Sequence, residues 1–287
     1  MPMAAYHLSL PERRTTSVVF ASPHSARTYS PAFLRRTVLD QRSVRSSEDA
    51  FVDRLFETAP RAGAPLITAG APRAYVDLNR SADELDPALI DGAPRQGHNP
   101  RIASGLGVIP RVVANGQAIY SGKLSLIEAR NRIDAIWRPY HAALQAALDE
   151  AHRMFGEAIL VDCHSMPHEA MDQVARRGVR RPEIVLGDRF GASADGAVVD
   201  RIEAAFTRAG LVVTRNTPFA GAYITQAYGR PGRGRHAVQI EIDRALYMDE
   251  REIRPNRNFD TFCGLMRGVI DEIAGIGRPH DVPLAAE

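Results

Sequence analysis

Two apolar runs in this chain end on the same dipeptide. Residues 17 to 25 read SVVFASPHS and carry His24; residues 158 to 165 read AILVDCHS and carry Asp162 and His164. Burying Asp and His inside an apolar strand is costly unless they are paired or bound to something. Other residues of the same chemical kind lie elsewhere. Glu48 and Asp49 open an apolar segment, Arg73, Asp77, Asn79 and Arg80 cluster between 73 and 80, and Glu241 sits inside QIEID. Two His and one carboxylate from separate segments, with one position left open, form the ligand set of a catalytic zinc. A further Glu clear of the metal would take a proton from the attacking water. Arginines nearby would hold a carboxylate bidentately or stabilise an oxyanion.

A plainer reading competes at every position. A His can be packed and hydrogen-bonded, and an acid can sit at residues 48 and 49 because a helix N-terminus favours it. Glu241 can pair with Arg244, and Arg80 with Asp77 or Asp83. Asp162 is open to orienting His164 as an acceptor. Cys163 alternates to the opposite strand face, which reads as a core thiol and not a nucleophile. His141 is placed either near the site or in helix packing.

The elements that must position these groups follow from periodicity. Strands are expected at 17–22, 65–69, 74–79, 158–163, 183–187, 211–215 and 237–242. Helices are expected at 31–40, 48–62, 195–209 and 257–274. The best helical pattern spans 123–155, with Pro139 predicting a kink or two helices. Residues 80–122 read as one long loop, a length that is often functional. Strands alternating with helices predict an α/β protein with a mostly parallel sheet covered on both faces. In such sheets sites form at the carboxyl ends of strands, which is where His24 and His164 fall. Arg215, ending the 211–215 strand, is then a candidate for a second substrate carboxylate.

With 287 residues, 45% hydrophobic and 24% charged, the chain can bury a sizeable core, and no compositional break divides it, so one domain over 1–287 is expected. Net charge is +2 with the signs interspersed, which gives no argument for nucleic acid. The basic clusters at 176–182 and 229–236 read as solvated loops. Two distant cysteines give no disulfide framework, the N-terminus lacks a signal-peptide pattern, and no apolar run is long enough for a bilayer. A cytoplasmic protein is expected, with no membrane partner; a homo-oligomer is left open.

Eight short blocks, in order, resemble the N-formylglutamate amidohydrolase family. They are PHS at 23–25, DAFVDRL at 49–55, RAYVDLNR at 73–80, PYHAAL at 139–144, DCHSMP at 162–167, GDRFG at 187–191, PFAGAYIT at 218–225 and QIEIDRALYM at 239–248. The resemblance implies a fold like the zinc carboxypeptidases and aspartoacylases, a phosphorylase/hydrolase-like α/β architecture. It implies hydrolysis of an N-acyl amide on a small acidic amino acid, the type reaction giving formate and glutamate from N-formyl-L-glutamate. Carried onto this chain, it implies metal ligands His24, Asp49 and His164, with Glu48 as the alternative to Asp49, and Zn2+ as the default ion among divalent metals. Glu241 would be the general base and Arg73 the oxyanion partner. Asn79 and Arg80 would hold the substrate carboxylate, with Tyr223 in the substrate-binding run. Alternatives are a deacylase or carboxypeptidase acting on another N-acyl amino acid or small peptide, and a non-catalytic binding protein of the same fold.

Overall fold

The structure, a computed structural model, describes residues 3–94, 97, 99–172, 178 and 180–278. Of the expected basic loop at 176–182, Arg176, Arg177 and Val179 lie outside the described residues. The main sheet uses β1 (Tyr6–Ser9), β2 (Val18–Ser22) and β3 (Leu66–Ala69). Two short strands, β4 (Ile90–Asp91) and β5 (Leu124–Ser125), pair with each other away from it. It continues with β6 (Ala158–Met166), β7 (Ile184–Gly187), β8 (Val213–Arg215) and β9 (Arg235–Asp243); β10 (Met248–Asp249) and β11 (Arg254–Pro255) form a second short pair. The helices are α1 (Pro31–Leu34), α2 (Val52–Leu55), α3 (Pro100–Ala103), α4 (Leu126–Arg132), α5 (Arg138–Phe155), α6 (Gly196–Arg208), α7 (Tyr223–Tyr228) and α8 (Phe259–Ile276).

Strand order across the sheet is β1-β3-β2-β6-β9-β7-β8. The four central strands run parallel, β1 opposes β3, and β7 opposes β9 while pairing in parallel with β8. The mixed, mostly parallel α/β sheet is as the alternation of elements predicts. Strands β2 and β6 are buried at every position, which requires cover on both faces. On one face Phe20, Val161, Cys163 and Ile240 pack with α2, α6 and α8. On the other Val19, Ala21 and Leu160 pack with the α4–α5 layer.

Several local expectations are corrected. Residues 74–79 form no strand but a turn-rich loop. Their apolar alternation imitates a strand, yet the Asp77 carboxylate accepts the Asn79 N–H at 2.8 Å and the Tyr75 N–H turns back to the Pro72 carbonyl at 2.9 Å. Such local bonds compete with a sheet ladder. The helix expected at 48–62 is broken into α2 and a 3-10 turn at Ala59–Ala62. Phe51, at φ +68, interrupts it just before α2. The helix expected at 31–40 stops after α1. Between α4 and α5 the chain stays helical through a π-turn at Ile133–Trp137, and Pro139 falls just past it. The long loop is not featureless: Asp77 N–H bonds Val108 O at 2.8 Å, and Val108 N–H bonds Glu84 O at 2.8 Å.

One glycine is set by a close approach. A Cβ on Gly187, at the end of β7, would lie 2.6 Å from the backbone nitrogen of Gly221. The segment Pro218–Ala222 therefore crosses directly over this strand end.

Candidate active site

Strand alternation puts Asp162 and His164 of β6 on one face and Cys163 on the other. In register, Asp162 faces Gln239 and His164 faces Glu241 of β9. These four side chains thus share the face that ends in a cavity of about 380 Å3. Cys163 pairs with Ile240 in the opposite core, and burial pushes its thiol well up.

His24 leaves the end of β2, and its carbonyl accepts the Asp49 N–H at 3.0 Å. That bond ties the two segments so that Asp49 projects between the histidines. Asp49 Oδ2 lies 2.9 Å from His164 Nδ1 and 3.4 Å from His24 Nδ1. The two imidazoles stand edge to face with centroids 4.8 Å apart. His24, Asp49 and His164 can each offer one ligand atom, all within 4.8 Å of one another. Glu48 points elsewhere: Tyr29 Oη donates to it at 2.8 Å and Arg45 Nε at 3.0 Å. The structure brings Asp49, not Glu48, to the histidines.

Each histidine is held from behind by a buried acid. His24 Nε2 is 2.7 Å from Asp77 Oδ1, and His164 Nε2 is 3.0 Å from Asp162 Oδ2. A carboxylate on Nε2 favours the proton there and turns the Nδ1 lone pair inward, the arrangement that supports metal-ligating histidines. His24 Nδ1 has no hydrogen-bond partner among the described residues, although His24 is 2% exposed. A buried polar atom left unpaired asks for an explanation. The residues present fit a divalent cation at this point.

The electrostatics agree. Burial would raise Asp49, but the hydrogen bond to His164 and the charges of His164 and His24 outweigh it and hold the carboxylate well below its usual range. Asp77 is likewise held low, Arg73 and His24 overcoming burial. Burial would lower His164, yet Asp162, Asp49 and Glu241 raise it far above an ordinary imidazole. Three buried acids thus draw positive charge to this point. Burial pushes Glu241 up to about 7, against the charges of His164, Arg244 and Arg73. Gln239 Nε2 donates to Glu241 Oε1 at 2.7 Å, and Glu241 lines the cavity.

The expected substrate residues divide. Arg73 lines the cavity, with its Nε 3.0 Å from Asp77 Oδ2. Arg80 lines it too, and its Nε and Nη1 donate to the carbonyls of Leu106 and Asn79 at 3.0 and 2.9 Å. Asn79 is at the site, but its amide is already engaged. Its Oδ1 accepts the Ile224 N–H at 2.7 Å, and its Nδ2 lies 3.2 Å from His164 Nε2. Two expectations are corrected. Arg215 is not brought to the cavity: its Nε donates to Glu203 Oε2 at 2.6 Å and its Nη2 to Asp200 Oδ1 at 2.7 Å, on α6. It stands in the row Arg215–Leu186–Ile240, on the sheet face opposite Glu241. Strand β8 runs against β9, so the rule for parallel strand ends does not reach it. Tyr223 is not a lining residue either. Ala222 lines the cavity, while Tyr223 opens α7 and packs on Trp137 and His141 at 5.8 and 5.5 Å.

Other residues enter that sequence reasoning did not assign to the site. Arg244 Nη2 donates to Asp49 Oδ1 at 2.9 Å and its Nε to Ser165 Oγ at 3.1 Å. Gln239 was legible through its period-two spacing from Glu241. Arg101, on α3, also faces the cavity. His141 turns out to support the loop: Nε2 is 2.9 Å from the Leu78 carbonyl and Nδ1 2.8 Å from Tyr228 Oη.

Residues 16–248 match the model of the N-formylglutamate amidohydrolase family. The chain is 31% identical over 242 residues to the N-formylglutamate deformylase of Pseudomonas putida, covering 82% of this chain and 83% of that one. Against the N-formylglutamate deformylase of Pseudomonas aeruginosa it is 32% identical over 247 residues, covering 84% and 85%. The crystal structure of N-formylglutamate amidohydrolase from Ralstonia eutropha JMP134 superposes with a TM-score of 0.88 at 35% identity, over 96% of this chain and 99% of that one. A protein of Agrobacterium tumefaciens at 18% identity and a TM-score of 0.62 shares the fold. Fold and relatives define a hydrolase of amide C–N bonds. Within that class, the chain belongs to the N-formylglutamate amidohydrolase family.

Proposed function

We propose that this chain hydrolyses N-formyl-L-glutamate, or a close N-acyl acidic amino acid, to the free acid and the amino acid. His24, Asp49 and His164 would hold a divalent metal, zinc by preference. The observation that carries the reading is the unpaired, buried His24 Nδ1 beside the Asp49 oxygen, with both histidines anchored from behind. The names of the relatives support the substrate.

When bound, the metal would supply Lewis acidity toward the attacking water and the formyl oxygen. Glu241, 8% exposed at the cavity floor, takes the proton from that water and delivers it to the departing amide nitrogen, so that one water is consumed for each formate and amine released. Raised toward neutrality, its carboxyl suits both halves of that transfer. The Arg73 guanidinium faces the oxygen that gains charge as the carbonyl carbon becomes tetrahedral. Arg80 holds a substrate carboxylate. Asn79, its Oδ1 taken by the Ile224 N–H and its Nδ2 donating to Asp162 Oδ2 and Gln239 Oε1 at 3.4 Å, positions α7 and the acid behind His164 and does not clamp the substrate. Arg244 occupies Asp49 Oδ1 and leaves Oδ2 for the ion.

The test is metal content of the purified protein together with formate release from N-formyl-L-glutamate, with and without chelator. About one metal per chain and chelator-sensitive formate release are expected. Bound metal without formate release would redirect the substrate to other N-acyl amino acids. A chain that takes up no metal on reconstitution would overturn the ligand set.

A further inference from the structure

Four guanidinium groups line the cavity: those of Arg73, Arg80, Arg101 and Arg244. Two are neutralised by buried acids, Arg73 by Asp77 and Arg244 by Asp49. Two are not. Arg80 donates only to main-chain carbonyls, and Arg101 makes no side-chain hydrogen bond or ion pair with any described residue. Asp77 and Glu84 reach Arg80 with their charge but do not bond it: Asp77 is held by Arg73 and His24, and Glu84 Oε1 accepts the Ser81 N–H while its Oε2 has no hydrogen-bond partner among the described residues. Arg101 also stands near enough to Arg80 for its charge to oppose Arg80's protonation, after burial, which is the larger cause.

The backbone of α3 is anchored at both ends. Asn99 caps it through Oδ1, accepting the Arg101 N–H at 2.9 Å, and Ile102 is buried beneath it. Arg111 clamps its far end, donating from Nη2 to the Ala103 carbonyl at 3.2 Å while Nε bonds Asp86. Two like charges lining one cavity are unfavourable alone and become favourable when an anion sits between or across them.

We propose that Arg80 and Arg101 form a two-point anion subsite that selects dicarboxylates, Arg80 taking the α-carboxylate and Arg101 the side-chain carboxylate. The inference rests on the amide-hydrolase reading given above and names what that reading leaves open, the source of acidic side-chain preference. It reassigns the second-carboxylate role from Arg215, which lies on the other face of the sheet, to a residue of the long loop.

The experiment uses the full-length, zinc-reconstituted protein and compares N-formyl-L-glutamate with its γ-amide, N-formyl-L-glutamine, and its α-amide, N-formyl-L-isoglutamine. A charge-assisted contact of this kind is worth about 10- to 100-fold, so wild type should favour formylglutamate over formylglutamine by that factor in kcat/KM. In Arg101→Gln the preference should collapse to within about threefold, through KM for formylglutamate, with Arg101→Lys retaining part of it. Discrimination against the α-amide should persist in the same variant. The subsite is overturned if Arg101→Gln lowers all three substrates alike, leaves the ratio intact, or instead erases discrimination against the α-amide. Calorimetric binding of glutarate and butyrate gives a readout that needs no turnover, with glutarate losing its advantage in Arg101→Gln. If no formyl substrate turns over but that advantage still follows Arg101, the subsite stands and the formyl-amide reading falls. If formylglutamate turns over with no dependence on Arg101, the activity stands and the subsite falls.

Discussion

Replacing Asp77 by Asn isolates the support behind one histidine. Asp77 is 1% exposed, and its Oδ1 serves His24 Nε2 at 2.7 Å and the Asn79 N–H at 2.8 Å, while Oδ2 serves Arg73 Nε at 3.0 Å. An amide oxygen can still serve the first two, but its NH2 then faces Arg73 Nε–H, donor against donor. The bond to His24 changes from charge-assisted to neutral, a loss of about 1–2 kcal/mol, or roughly 5- to 30-fold in metal affinity. Partners behind metal ligands commonly matter by about 10- to 100-fold, the same range. With free zinc in excess of Kd, a 30-fold weaker Kd removes about 2 kcal/mol of zinc-dependent stability. At about 2 °C per kcal/mol for a chain of this size, the zinc-induced rise in Tm should shrink by about 4 °C. Chelator competition gives Kd, and melts at several zinc concentrations give the shift. Asp134→Asn, at a 61% exposed acid paired with Arg138, serves as control. Unchanged Kd and unchanged zinc shift in Asp77→Asn would refute the idea that Asp77 orients His24 toward an ion. An equal loss in the control would do the same.

Glu241→Gln should keep its metal and lose about 10²- to 10⁴-fold in kcat; near-normal turnover would remove Glu241 from the chemistry. Because the base must be ionised, kcat/KM should fall as pH drops through an apparent pKa at or below about 7, since the carboxyl sits at about 7 without metal and a bound dication can only lower it. Arg215→Gln should change kcat/KM by less than about twofold, its partners being Glu203 and Asp200 on the far face; a larger loss on formylglutamate would return it to the substrate. His141 is pushed down to about 4 by burial, so its proton is bound by the unfolded chain first. It should therefore cost nothing above about pH 6.5 and up to about 3 kcal/mol as pH falls to 4. Urea unfolding at pH 7 and pH 5 should show a shallower pH dependence in His141→Gln, and equal slopes would exclude His141 as its source.

Much of the site could be read from the chain because strands impose a period of two. Asp162 and His164 fall on one face of their strand by alternation, with Cys163 on the other, and Gln239 and Glu241 share a face of theirs; that the two pairs meet on the same face comes from the β6–β9 register. What could not be read depends on information that periodicity does not carry. Residues 74–79 alternate like a strand, but side-chain bonds from Asp77 set a turn. The choice between Glu48 and Asp49 turns on a single main-chain bond from Asp49 to His24. The rule that strand ends share one edge sends Arg215 to the site, and the reversal of β7 and β8 against β9 takes it away. Arg244 and Arg101 reach the site from a turn after β9 and from the long loop, where no spacing announces them.

Gly187 gives the cavity an adjustable wall. The segment Pro218–Ala222 rests on a strand end that carries no side chain, at a distance no Cβ tolerates. The room beside Glu241 is thus gauged by one missing methyl group outside the chemistry. A single added carbon there would press on the wall, whose Ala222 N–H bonds the Gln239 Oε1 at 3.1 Å, and Gln239 in turn holds Glu241. The width of the cavity and the setting of the base are therefore coupled through Gln239, so a change at Gly187 reaches both.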